Sequence, residues 1–239
     1  NSGTRLEPEL AASANIVLAN STRFAAELQP YNPHTYPIET GVNLELYNPA
    51  KKYETPGDMQ DIPRPIIGYM GTINSTRLDG ELLYQIISQR PDYSFVFTGP
   101  EDDIFRRNRI HSLKNAYFTG QKKVDELPAY IAAYDVCINP QMVNEITDGN
   151  YPLKIDEYLA MGKPTVATST HTMRNIFAGH THLAINPEEW LSAIDRAVTE
   201  ADDKELAKQR IAFAETHSWG HSVKKIYEII DSFLKKKTT

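Results

Sequence analysis

The stretch Asn150-Tyr151-Pro152-Leu153-Lys154-Ile155-Asp156-Glu157-Tyr158-Leu159-Ala160-Met161-Gly162-Lys163-Pro164-Thr165-Val166-Ala167 reads as a helix start, a helix over Leu153 to Met161, a Gly-Lys-Pro stop and a short β-branched strand. Just upstream lies another apolar run, Val136-Cys137-Ile138. Two buried strands separated by a helix imply a parallel pair with a crossover. The same alternation extends in both directions. Candidate strands are Ile66 to Met70, Ser94 to Thr98, Ala116 to Phe118, Val136 to Ile138, Thr165 to Ala167 and Leu183 to Ile185. Helical stretches lie between them: Leu78 to Gln89, Ile104 to His111, Val124 to Tyr134, Leu153 to Met161, Met173 to Phe177 and Glu188 to Ala201. The expected fold is α/β, a doubly wound, Rossmann-like parallel sheet of about six strands. Two strandless helices follow, about Lys204 to Thr216 and Ser222 to Lys235, separated by His217-Ser218-Trp219-Gly220.

Residues before Pro65 follow a different pattern. They give one strand at Ile16-Val17-Leu18, a helix capped by Asn20, Ser21 or Thr22, and an extended Pro37-Ile38-Glu39-Thr40. The Pro- and Gly-bearing stretch from Asn48 to Pro65 is a linker in composition. The expected division is residues 1–64, the tail of something larger plus a linker, and residues 65–239, the sheet domain.

The chain has 239 residues, 41% hydrophobic and 23% charged, a globular balance that supports a sizeable core. Its net charge of -6 gives no global basic field, so no nucleic-acid partner is expected. The basic run Lys235-Lys236-Lys237 reads as a solvated helix end; weak peripheral contact with anionic lipid is its other meaning. The single cysteine, Cys137, sits in a buried-strand pattern and builds neither disulfide nor metal cage. No apolar run is long enough to span a membrane and the start carries no signal pattern, so the expected compartment is the cytoplasm, at most against the inner membrane face. The seven histidines show no metal-binding spacing and there is no G-x-S-x-G elbow, so no metal or other cofactor is expected.

In an open parallel sheet, ligands bind outside the carboxyl ends of the strands. The loop after the fourth sheet strand is long and delivers Asn150-Tyr151-Pro152-Leu153-Lys154 to a helix start. Pro152 suits the first helical turn, and its neighbours leave outward backbone N–H groups. With Lys154 beside them, these form an anion site for which phosphate is the natural guest. Lys154 and Glu157 are three apart on one face: Glu157 could accept two hydrogen bonds from a sugar diol on the same ligand, or the two could merely pair with each other. After the first sheet strand, Gly71 and Thr72 allow close backbone approach, although neither a GxGxxG fingerprint nor a P-loop is present. Arg77 is either a two-pronged phosphate contact or an exposed helix-start residue. Lys122 is either a base or phosphate contact or part of a solvated turn.

The segment from Asn150 to Ala167 resembles the donor-binding domain of GT-B glycosyltransferases, more closely the retaining E-x7-E group, similar to glycosyltransferase family 4. Gly68-Tyr69-Met70-Gly71, Phe95 to Pro100, Tyr117 to Gly120 and Leu127 to Pro140 match in the same order, and Ala19-Asn20-Ser21 with Thr40 to Asn43 resembles the end of an acceptor domain. The resemblance implies a hexosyltransferase that binds a UDP- or GDP-sugar and passes the glycosyl group to a polysaccharide or lipid-linked acceptor. It implies that Glu157 holds the ribose hydroxyls, that the backbone from Tyr151 to Lys154 meets the diphosphate and that Arg77 adds a basic contact. It also implies a missing N-terminal acceptor domain, without which this fragment is inactive alone. Two features depart from the pattern: the first glutamate of the motif falls on Gly149, next to Asp148, and no Gly-Arg and Lys-Gly pair follows the first sheet strand. A non-catalytic nucleotide-binding module or a GT-B epimerase-like enzyme is the alternative.

Overall fold

The structure, a computed structural model, describes residues 2–38, 40–144 and 147–238. In chain order its strands are β1 (Val17–Ala19), β2 (Thr35–Pro37), β3 (Ile66–Met70), β4 (Ser94–Thr98), β5 (Ala116–Gly120), β6 (Val136–Asn139), β7 (Thr165–Thr168) and β8 (His182–Ala184). Its α-helices are α1 (Ser2–Ser13), α2 (Thr22–Leu28), α3 (Gly80–Ser88), α4 (Leu127–Ala133), α5 (Leu153–Ala160), α6 (Pro187–Thr199), α7 (Lys204–Thr216) and α8 (Trp219–Thr238). The last six strands form one parallel sheet in the order β5-β4-β3-β6-β7-β8. The chain therefore builds one half outward from β3, then returns to the other side of β3 to lay down β6. The switch point lies between β3 and β6, where an open sheet leaves a crevice for a ligand.

The central strands are buried on both faces, as expected for a sheet covered by crossover helices. Alternate residues of β3 go to opposite layers. Ile66 and Met70 join Cys137, Tyr134, Tyr158 and Leu159 under α4 and α5. Ile67 and Tyr69 join Phe95, Phe97, Leu83, Ile87 and Trp190 under α3 and α6. Cys137 is a free, buried core thiol, as its strand pattern suggests. Each of α3, α6 and α7 starts on a side-chain cap: Asp79 accepts from the Leu82 N–H, Asn186 from Glu189, and Asp203 from Glu205 and Leu206.

Several boundaries differ from the sequence reading. Ile104 to His111 is not one helix but two 3₁₀ turns, Phe105–Arg107 and Arg109–Ser112, because Asn108 turns extended and caps the second one. Met173–Phe177 is a π-helical turn. The first α3 residue is Gly80 rather than Leu78, since Asp79 takes the cap, so Arg77 sits in the turn ahead of the helix. The first strand is shifted by one residue, and the extended segment near Pro37 pairs as Thr35–Pro37, parallel to β1. Glu39, part of that expected segment, and the side chain of Lys237 lie outside the described residues. α1 was not anticipated, and α8 starts at Trp219, three residues earlier than its apolar pattern suggests.

The proline-rich stretch before the sheet is pinned rather than loose. Its short 3₁₀ turn at Gly57–Met59 buries Met59, and Asp58 binds both Lys122 and Tyr130. Arg64 pairs with Asp135.

Candidate functional site

All ten residues singled out from the sequence line one cleft of about 560 Å³ above the carboxyl ends of β3, β4 and β6: Gly71, Thr72, Arg77, Lys122, Asn150, Tyr151, Pro152, Leu153, Lys154 and Glu157. They come from three separate segments, after β3, after β5, and after β6 into the head of α5, and the strand order above is what gathers them.

The floor is made by the loops after β3 and β4. Gly71 has φ 138° and Gly99 has φ 147°, a region that L side chains rarely adopt. Gly99 also passes so close to the neighbouring loop that a Cβ there would stand 2.0 Å from the Gly71 carbonyl oxygen. Two backbones thus meet where no side chain fits, and the cleft reaches down to bare peptide.

The head of α5 forms one wall. Pro152 is the N-cap residue, not the first helical one, with φ -89° and ψ 81° and its carbonyl accepting from the Ile155 N–H at 2.8 Å. No side chain caps this end, so the Leu153 and Lys154 N–H groups keep no protein partner among the described residues. The Lys154 ammonium donates to the Tyr69 hydroxyl at 2.8 Å and lies 4.4 Å above that ring; Tyr69 in turn donates to the Thr72 carbonyl at 3.0 Å. Among the described residues no ion pair joins Lys154 to Glu157, so the simple i,i+3 pairing does not form. Lys154 is held upright at the cleft by Tyr69.

Glu157 lies one turn further along the same face, partly buried. Burial pushes its carboxyl up to about 7, against the opposing pull of the Tyr47 hydroxyl and the Lys154 charge, while Asp156 adds to the rise. Tyr47, itself buried, is raised in turn by its burial and by Glu157. Arg77 is exposed, with no hydrogen bond or ion pair to its guanidinium among the described residues. Lys122 lines the cleft, but its ammonium is engaged by Asp58 at 2.7 Å and stands 5.1 Å over the Tyr130 ring. Hydrogen bonds from Lys122 and Tyr130 hold Asp58 below the usual carboxylate range despite its partial desolvation.

Sequence reasoning missed Tyr47, Thr98, Gly99, Pro100, Gln121 and Gln141, which also line the cleft. The strand-end rule points to Thr98-Gly99-Pro100, the loop after β4, as readily as to its neighbours. Tyr47 gives no such signal, because it comes from the stretch ahead of the sheet and reaches Glu157 only in three dimensions.

Neighbouring motif positions have structural explanations. Lys163 of the Gly-Lys-Pro stop donates to the Ala132 and Tyr134 carbonyls at 2.8 and 2.6 Å, closing the end of α4. Gly149 lies under the stem of Arg23, whose Cδ would be 2.4 Å from a Cβ at that position. Asp148 accepts the His171 N–H at 2.7 Å and ties its loop to the turn after β7. Among the described residues no cluster of His, Cys, Asp and Glu could hold a metal ion, and no helix is long and apolar enough to cross a membrane.

Known proteins with the same architecture place this cleft in context. A glycosyltransferase from Rickettsia africae ESF-5 superposes with a TM-score of 0.77 at 20% identity, covering 98% of this chain and 68% of that one. Anabaena Alr3699/HepE, solved in complex with UDP and glucose, gives a TM-score of 0.74 at 17% identity, with 97% and 67% covered. At these identities the likeness establishes the fold, that of the GT-B Rossmann-like halves. The chain is 27% identical over 188 residues to Bacillus subtilis (strain 168) TuaH, a candidate teichuronic acid biosynthesis glycosyltransferase, spanning 76% of this chain and 47% of that protein. The chain is thus matched to about half the length of this curated relative. The model of the family described as "Glycosyl transferases group 1" matches residues 64–200, more than half the chain and the whole of the cleft except Tyr47. On that match, the chain belongs to the group 1 glycosyl transferases.

Proposed function

We propose that the cleft holds the nucleoside diphosphate sugar of a retaining glycosyltransferase, and that residues 65–239 are its donor-binding domain. One observation carries this reading: an uncapped helix head, a lysine held at the cleft by Tyr69 and a carboxylate one turn away face the same space at the sheet's switch point. The Leu153 and Lys154 amides and the Lys154 ammonium suit a diphosphate. Glu157, once ionised, suits the two hydroxyls of a ribose.

In transfer, the departing diphosphate gains negative charge as the glycosyl bond breaks. The helix-head amides, Lys154 and Arg77 offset that charge, and no metal or other cofactor is needed for it. Lys122 contributes least, because Asp58 already shares its charge. HepE supports UDP as the leaving nucleotide, with GDP the other candidate, and TuaH supports a polysaccharide acceptor, with a lipid-linked one as the variant. Residues 1–64 are read as the tail of the acceptor domain plus a linker. Turnover then needs the remainder of that domain, and the proposed place of action is the cytoplasmic face of the membrane.

Calorimetric titration with UDP, GDP and UMP tests the proposal. A nucleoside diphosphate is expected to bind, and Glu157→Ala to lose about 1–3 kcal/mol, as for a removed charge-assisted hydrogen bond. Absence of binding by all three nucleotides at millimolar concentration overturns the reading.

A further inference from the structure

Asp156 shares α5 with Lys154 and Glu157 but points the other way, and it is 0% exposed. A carboxylate that deep is costly unless hydrogen bonds compensate it. Two of its partners lie in different parts of the molecule. One oxygen accepts from the Tyr151 hydroxyl at 2.6 Å, and Tyr151 lines the cleft immediately before the α5 head. The other oxygen is 3.2 Å from Nδ1 of His217, which does not line the cleft.

His217 belongs to a crossing of two chain segments. Its carbonyl accepts the Val42 N–H at 2.9 Å, Val42 and Ser218 form a parallel bridge, and the Trp219 N–H returns to the Val42 carbonyl at 3.4 Å. Gly41 packs so tightly there that a Cβ would stand 2.1 Å from the Trp219 nitrogen. At this point the chain passes from β2 toward the sheet, and again from α7 into α8, which runs back to place Phe233 4.9 Å from His34. The His217 ring is wedged between Phe213 at 4.5 Å and Phe177 at 6.0 Å, and Phe177 also meets Tyr151 at 5.6 Å.

We infer that Asp156 is a positioning residue: it locks Tyr151 and the α5 head to the crossing at residues 41–43 and 217–219, so that the diphosphate end of the cleft is aligned only when that crossing is correctly seated. The inference rests on the donor-site reading and deepens it. It makes the grip on phosphate, and not the grip on the nucleoside, depend on a histidine outside the cleft.

The test compares the wild-type chain, His217→Phe, His217→Asn and Asp156→Asn, each titrated with UDP and GDP and with uridine and guanosine, with a thermal melt alongside. Phenylalanine keeps the ring packing and removes the donor, whereas asparagine can return a donor near Nδ1. The expected result is a loss of at least fivefold in nucleoside diphosphate affinity for His217→Phe and Asp156→Asn, with nucleoside affinity within twofold of wild type and His217→Asn restored toward it. Asp156→Asn keeps the shape of the side chain and so decides the matter if His217→Phe does not fold. Unchanged diphosphate affinity in the folded variants, or an equal loss for diphosphate and nucleoside, overturns the inference alone. A wild-type chain that binds no nucleotide overturns the functional reading and the inference together.

Discussion

Glu157 stands at the centre of the proposed site, and its burial makes stability and binding respond to it with opposite sign. An unfolded glutamate titrates near 4.5, whereas burial raises the folded carboxyl to about 7. A raised folded value favours the protonated form, so its stabilising contribution is full below the unfolded value and is lost as pH rises through 7. At about 1.4 kcal/mol per unit, the loss by pH 8 is at most about 3 kcal/mol. Glu157→Gln keeps the shape and never ionises, so it should match wild type near pH 5 and exceed it by that margin at pH 8. For a chain of this size about 1 kcal/mol moves the melting temperature by roughly 2–4 °C, so a difference of about 6–12 °C should open between pH 5 and 8. Melts of both proteins at pH 5, 6, 7 and 8 check this, since other titrating groups cancel in the difference. A constant offset between the two curves refutes the reasoning. At pH 8 the glutamine variant, the more stable of the two, should also be the weaker nucleotide binder, since an amide accepts less strongly from a ribose diol than a carboxylate does.

Lys154→Met should weaken nucleoside diphosphate binding by about 1.5–3 kcal/mol and flatten its salt dependence, as seen by calorimetry at several ionic strengths. Gly71→Ala forces a side chain onto φ 138°, with its Cβ 2.9 Å from the Lys154 ammonium, and should damage both stability and nucleotide affinity. Tyr158→Phe strands the buried Met70 N–H that the hydroxyl accepts at 2.8 Å, so urea unfolding should register a loss of about 1–3 kcal/mol. Lys163→Met should cost a similar amount by leaving the Ala132 and Tyr134 carbonyls short of a donor, while nucleotide affinity stays as in wild type.

What was readable in the sequence follows from how local each signal is. The four central sheet strands declare themselves because both faces are buried, as in the run Phe95-Val96-Phe97. The short polar elements did not, since whether Asn108 turns outward to cap a 3₁₀ turn depends on packing that no local pattern records. Lys154 and Glu157 left two readings open, a mutual pair or a shared ligand. The choice against mutual pairing is made by Tyr69, a residue 85 positions away that takes the lysine hydrogen bond. Tyr47 was invisible for a like reason, as its neighbours read as linker. Gly149 shows the reverse case: the departure was evident in the sequence, and its local cause, the stem of Arg23 lying across that position, appears only in the fold.

The strand order also constrains how the molecule comes into being. β3 and β6 lie side by side, with Ile67 opposite Val136, yet two other strands and two α-helices separate them along the chain. A growing polypeptide lays down β3, β4 and β5 first, and the α5 head reaches its position only after β6 has found the far edge of β3. Loop closure of that length is slow compared with local structure, so pairing across the middle of the sheet is a late event. A nucleotide therefore has nothing to hold until the second half docks. It should leave the early folding rate unchanged and slow unfolding instead, acting as a clasp on the finished sheet rather than a template for its assembly.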